Sequence, residues 1–123
     1  MINKYSIASL VWAIFTGTLT SLPGTLIPRI TGTANFILDN VSHILFFLIL
    51  GFLVGKSLLF QFPSFGPQKA FFLTFFICIG YGFALELVQI PIPERVFEWS
   101  DVFANGFGAI FGASISVLLK KAN

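Results

Sequence analysis

The sequence predicts an all-α polytopic membrane protein, a compact bundle of four transmembrane helices forming one domain over residues 1–123. Composition predicts the first part. Of 123 residues, 56% are hydrophobic and only 10% charged, whereas a soluble domain carries about 25% charge. Mean hydropathy is +0.92, and seventeen Phe add apolar bulk without polar handles. Such a chain cannot cover itself in water, and disorder needs the opposite composition. Patterning predicts the rest: apolar residues gather into four stretches, each near the ~20 residues that ~30 Å of hydrocarbon requires, and Pro and Gly lie between them.

The first stretch runs from about Tyr5 to Leu22, the second (41–60) from Val41 to Phe60, the third (70–90) from Ala70 to Ile90 and the fourth (102–119) from Val102 to Leu119. In hydrocarbon each backbone N–H needs an internal partner, so stretches of this length are helices. Turns fall at Pro23, Gly24 and Pro28, at Pro63, Gly66 and Pro67, and at Pro91 and Pro93, because proline cannot continue a helix. The first stretch follows Lys4 but is long, mixed with Thr and lacks an A-x-A-like site, so a cleaved signal is not expected.

Orientation follows from the cations. Lys4, Lys56, Lys69, Lys120 and Lys121 fall on one side of a four-span chain, and only Arg29 and Arg95 on the other. Basic residues favour the cytoplasm, which predicts a multi-pass protein of the cell membrane with both termini cytoplasmic. Net charge is +2 with no basic cluster, so nucleic acid is not a partner. Cys78 stands alone in an apolar run, matches no metal-site spacing and reads as a packed or lipid-facing thiol.

The polar residues within the spans carry the functional signal. Asp39 and His43 are four apart, Glu86 and Gln89 three apart, and Asp101 and Asn105 four apart, so each pair shares a helix face. Arg95 lies in the loop between the last two pairs, and Arg29 in the other outer loop. The alternation of four spans brings all of them to the predicted outer side. Glu86 lies about one turn inside its span, where a charge needs a partner; Arg95 and His43 are the candidates. Ala104, Gly108, Gly112 and Ser116 form a stripe of small residues, echoed by Gly51 and Gly55 and by Gly80 and Ala84. Small stripes let helices approach closely, and these read as packing seams. Gly106 is off the stripe and has no separate role.

At these residues the chain resembles the VanZ-like family, named for a membrane protein of glycopeptide-resistance clusters that lowers susceptibility to teicoplanin. Asp39-Asn40-Val41-Ser42-His43 is similar to the family's D-K-x-x-H, with Asn40 in place of the usual Lys. Glu86-Leu87-Val88-Gln89 is similar to E-x-x-Q, and the run from Arg95 to Gly108 to R-x-x-[DE]-x-x-D-x-x-x-N-x-x-G. Together the motifs reach across about residues 35 to 115. The resemblance implies a multi-helix bacterial membrane protein but supplies no reaction; the link to teicoplanin, which acts outside the membrane, suits a site on the outer face.

Several functions follow as expectations. The leading one is a site binding an envelope lipid or amphiphile, such as a lipid-linked cell-wall intermediate or lipoglycopeptide, with an antibiotic-resistance link. Arg95 would pair with phosphate or carboxylate, His43 and Gln89 would donate, and Asp39, Glu86, Asp101 and Asn105 would complete the site. The alternative is a membrane-embedded hydrolase using His43 with Asp39 as base and Glu86 as acid, although no nucleophile motif is present and Ser42 and Ser100 are the only hydroxyls nearby. No cofactor is expected. Zinc on His43, Asp39, Glu86 and Asp101 would lack the usual His-rich ligand set, so no metal is expected either. A purely structural reading takes the pairs as caps and interfacial ion pairs. A channel would need homo-oligomers and a polar path through the middle; Thr16, Thr18, Thr20, Thr74 and Ser114 could line one, but such groups usually bond to helix backbone.

Overall fold

A computed structural model describes residues 3–22, 33–93 and 97–122, with side chains for 3–22, 37–93 and 97–120. Pro23, Gly24 and Pro28, together with Arg29 and Arg95, lie outside the described residues, and the Lys121 side chain is not described. Among the described residues the chain is all-helical, with four helices and no strand: α1 (Lys4–Thr20), α2 (Thr33–Gln61), α3 (Pro67–Gln89) and α4 (Trp99–Ala122).

Local chemistry accounts for the helix ends. Asn3 precedes α1, and its side-chain oxygen accepts the Ser6 N–H at 2.9 Å, removing one orphan donor. Pro67 occupies the first turn of α3 behind Gly66, where its missing N–H costs nothing. Beyond Gln89 the chain turns through Pro91 and Pro93. Asp101 sits in the first turn of α4, where a carboxylate favours the positive end of the helix dipole. The helix α2 begins eight residues before Val41, so Asp39 and His43 lie well inside it. Residues 33–40 contain neither Pro nor Gly, so the backbone ladder continues after the apolar run has stopped.

Three segments are long and apolar enough to cross a membrane: Ile37–Gln61, Pro67–Gln89 and Trp99–Lys120. The 17 residues of α1 reach about 25 Å at 1.5 Å per residue, short of the ~30 Å hydrocarbon layer. The surface is apolar all round; Ile14, Phe76, Phe103 and Leu118 are each at least 62% exposed. The interior is mixed: Phe47, Leu50, Cys78 and Ala109 form its apolar cluster, while Thr16, Thr74, Glu86 and Ser116 are fully buried beside it. A soluble protein would reverse this distribution.

Close backbone approach holds the bundle together. The most buried helix is α4, packed most extensively on α2 and then on α3. A Cβ at Gly108 would collide with the Ile44 carbonyl, and one at Gly112 with the Leu48 carbonyl. From the other side, a Cβ at Gly51 would come 2.9 Å from the Ala109 carbonyl, and one at Gly55 would overlap the Ser116 hydroxyl. The α2–α4 seam is therefore built from the glycines the sequence singled out. The expected seam at Gly80 and Ala84 is not there: both are exposed, and a Cβ at Gly80 would meet nothing within 4 Å. The buried stripe of α3 is Ala70, Thr74, Cys78, Gly82, Glu86 and Gln89. Gly106 packs toward α3, where a Cβ would approach Ile79 to 3.0 Å. The remaining helix, α1, is attached differently. Trp12 Nε1 donates to the Phe46 carbonyl at 2.9 Å, and the Tyr81 hydroxyl donates to the Ala13 carbonyl.

Charge is segregated along the bundle axis. The described lysines, Lys4, Lys56, Lys69 and Lys120, sit at the end formed by the α1 and α3 N-termini and the α2 and α4 C-termini. The described carboxylates, Asp39, Glu86, Glu98 and Asp101, belong to the opposite half.

Candidate functional site

Helix geometry carries polar residues from three helices to one end. His43 comes from the N-terminal half of α2, Glu86 from the last turn of α3, and Asp101 and Asn105 from successive turns of α4. All four are buried, Glu86 completely. Gly82 makes this possible. It lies one turn before Glu86, and a Cβ there would come 2.8 Å from Asn105 Nδ2 and 3.1 Å from the Phe47 ring. The space a side chain would fill is occupied by the Asn105 amide.

The hydrogen bonds fix the imidazole. His43 Nδ1 lies 2.8 Å from Asn105 Oδ1. An amide oxygen only accepts, so Nδ1 donates and Nε2 carries the lone pair in the neutral ring. Nε2 faces Asp101 Oδ2 at 3.6 Å, beyond direct hydrogen-bond reach. Asp39, His43 and Asp101 each offer one atom to a group whose members lie within 4.8 Å of one another. The imidazole is oriented by Asn105, Asp101 faces its other nitrogen, and Asp39 belongs to the same group. Spacing along α2 placed Asp39 and His43 on one face, but the ring reaches across to α4.

Of the partners expected for Glu86, His43 interacts with it electrostatically and Arg95 lies outside the described residues. Glu86 Oε2 accepts the Glu98 backbone N–H at 3.4 Å, at the N-terminus of α4, and its carboxyl group lies within electrostatic reach of Asp101 and of His43. Among the described residues, Glu86 Oε1 and Asp101 Oδ1 receive no N–H or O–H. Facing carboxyl groups of this kind need a shared proton or a cation between them. Gln89 turns away from the group: its Nε2 donates to the Thr20 carbonyl at 2.8 Å, satisfying an orphan acceptor at the end of α1.

Of the seven residues the sequence nominates, Asp39, His43, Glu86, Asp101 and Asn105 come together, Gln89 serves α1, and Arg95 lies outside the described residues. Sequence reasoning missed Gly82 and the backbone of Glu98. Glu98 stands at the acidic position of the third motif, which was its one available signal; Gly82 carried none. The hydroxyls beside the site are engaged elsewhere. Ser42 Oγ donates to the Leu38 carbonyl at 2.8 Å, and Ser100 Oγ donates to Glu98 Oε2 at 3.4 Å.

Beside this group an apolar groove of about 320 Å³ runs along α3 and α4, lined by Phe75, Ile79, Val102, Phe103, Gly106, Phe107 and Ile110. Val102 follows Asp101 directly, and the lining continues for about 12 Å along α4.

Asn105 is the joint of the arrangement. Asn105→Ala leaves the His43 Nδ1–H buried without an acceptor, a loss of about 1–3 kcal/mol. A lowered thermal midpoint in detergent checks this; an unchanged midpoint means that the ring finds another acceptor.

The VanZ/LLP1 family model matches residues 3–120. No curated protein and no solved structure matches the chain.

Proposed function

The chain belongs to the VanZ/LLP1 family, and from that premise we propose that it is a four-span bacterial membrane protein whose polar end recognises the head group of an envelope amphiphile. The observation that carries this reading is adjacency. Buried Asp101 and Val102 of the groove are consecutive residues, so the polar groups and the start of the groove lie at the same level of the bundle, within reach of one amphiphile's head and chain. Acyl and prenyl chains suit a groove walled by Phe and Ile, since such walls supply dispersion contacts without polar competition.

In this reading α1 is the fourth span. Its outward residues Ile7, Leu10, Val11 and Ile14 are exposed and apolar, and Ser21 and Leu22 extend it. The lysine-bearing end lies in the cytoplasm by the positive-inside rule, which puts the carboxylate-bearing end at the extracytoplasmic face and both termini inside. Arg95, six residues before Asp101 in sequence, supplies the fork that matches a phosphate or carboxylate. The head group belongs to a lipid-linked cell-wall intermediate or a lipoglycopeptide, which links the site to teicoplanin-type resistance.

Native mass spectrometry of the purified protein with its co-purifying lipids tests this. Wild type is expected to retain a defined phospholipid or prenyl phosphate that Arg95→Ala loses. An unselective lipid profile in both, with a lower melting point in the variant, assigns the polar residues to structure alone.

A second reading, hydrolysis of a lipid-linked substrate, is favoured by the orientation of His43, whose Nε2 is held toward the carboxylates by Asn105. The same spectra separate it from simple binding: a retained lipid that loses a head-group fragment with time, and only with His43 intact, identifies catalysis.

A further inference from the structure

We propose that Asp39, His43 and Asp101 form a binding site for one divalent cation of the Mn²⁺ or Zn²⁺ type. The ion's role toward a substrate rests on the head-group reading above; the ion site itself rests on these residues alone.

Three observations converge on it. The first is the ligand set: one imidazole nitrogen and two carboxylate oxygens, contributed by α2 and α4, lie within 4.8 Å of one another. Atoms about 2.1 Å from a common ion at a tetrahedral angle sit about 3.4 Å apart, and the His43 Nε2 to Asp101 Oδ2 distance is 3.6 Å. That separation is too long for a direct hydrogen bond and close to that of two ligands sharing an ion.

The second is the state of the ring. A metal-binding histidine characteristically donates its other nitrogen to an oxygen acceptor, which fixes the tautomer and aims the lone pair. His43 does this through Nδ1 and Asn105 Oδ1 at 2.8 Å.

The third is independent of the cluster's own bonds. Asp101 is 5% exposed, and its Oδ1 has no donor among the described residues; Glu86 is 0% exposed, and its Oε1 also has none among them. Buried carboxylate oxygens are costly unless a proton, a donor or a metal satisfies them. No Lys or Arg side chain among the described residues pairs with them. One divalent ion would neutralise the group and leave coordination positions for water or for a phosphate oxygen of the head group. A single imidazole with several carboxylates favours ions of intermediate hardness, Mn²⁺ and Zn²⁺, over Ca²⁺. Sequence reasoning set metal aside because only one His is present; the geometry supplies oxygen ligands in place of further imidazoles.

The experiment uses the full-length protein in detergent, stripped with EDTA and titrated with Mn²⁺ and with Zn²⁺ by calorimetry, with bound metal counted by mass spectrometry. One ion per chain is expected. His43→Ala and Asp101→Asn are expected to weaken binding by at least tenfold, and Asn105→Ala by about ten- to a hundredfold. Because these variants remove buried groups, a second measurement needs no mutation: pulsed electron paramagnetic resonance on the wild-type Mn²⁺ complex, which reads nitrogen coupling from one imidazole. No stoichiometric ion with either metal, or a bound Mn²⁺ without nitrogen coupling, overturns the proposal. Lipid retention in EDTA separates the two readings. An ion bound with no lipid selectivity leaves the ion site and removes the head-group reading; selective lipid binding in a chain that takes up no ion does the reverse.

Discussion

Gly108→Leu is expected to abolish the folded bundle. The Cβ alone would collide with the Ile44 carbonyl and come 2.9 Å from the Leu48 N, and these are backbone atoms that no rotamer change can move. Overpacking a core ordinarily costs about 1–3 kcal/mol because side chains yield. Here two helices must separate along their whole seam, and contacts made by Gly112, Gly51 and Gly55 are lost together. Lipid offers no hydrophobic drive to restore them. Size-exclusion chromatography in mild detergent should show aggregate in place of a monodisperse peak. Gly80→Ala is the matched control: its Cβ meets nothing within 4 Å, and relieving glycine's backbone entropy adds about 0.5–1 kcal/mol. A Gly108→Leu protein that melts near wild type would show that the α2–α4 approach is looser than described.

Glu86→Gln is expected to move stability and function in opposite directions. The amide keeps an oxygen for the Glu98 N–H and gains an N–H that can donate to Asp101, so the pair is satisfied without proton or cation. Removing a buried charge in this way is often neutral or stabilising, and a thermal midpoint raised by a few degrees is the expected result. Metal uptake should fall at least about tenfold, since the amide removes a negative charge from the ion's immediate surroundings, and selective lipid retention should fall with it where the ion holds the head group. Such a trade of stability for function is what a site, as opposed to a structural ion pair, predicts. A lowered midpoint with ligand binding intact would return Glu86 to a structural role.

The helices and the polar end were legible in the sequence because each rests on a one-dimensional signal. Long apolar runs bounded by Pro and Gly define α3 and α4, and three- and four-residue spacing puts Asp39 with His43 and Asp101 with Asn105. Helix rotation was not legible on α3. Its outward and inward faces are both apolar, so nothing in the pattern distinguishes Gly80, which faces outward, from Gly82, which is buried against Asn105. A uniformly apolar helix has no moment to orient it. Partner choice across helices was hidden for a related reason. The ring of His43 prefers Asn105, sixty-two positions away, to Asp39 beside it, and that preference depends on the register of α2 against α4. The start of α2 was missed because hydropathy reports where the chain stops being apolar, not where its backbone stops being helical.

The α2–α4 seam has a consequence for biogenesis. The ribosome delivers α2 about forty residues ahead of α4, a delay of roughly 2–8 s at ordinary elongation rates. Throughout that interval Gly51, Gly55 and His43 have no α4 to meet, so the most intimate contact in the molecule closes only after α4 leaves the translocon. A nascent chain truncated before Trp99 therefore presents an open glycine face and unpaired polar groups to the bilayer, a surface that membrane proteases and chaperones can read as unfinished. The order of synthesis thus makes delivery of α4 the condition for both assembly and the polar site.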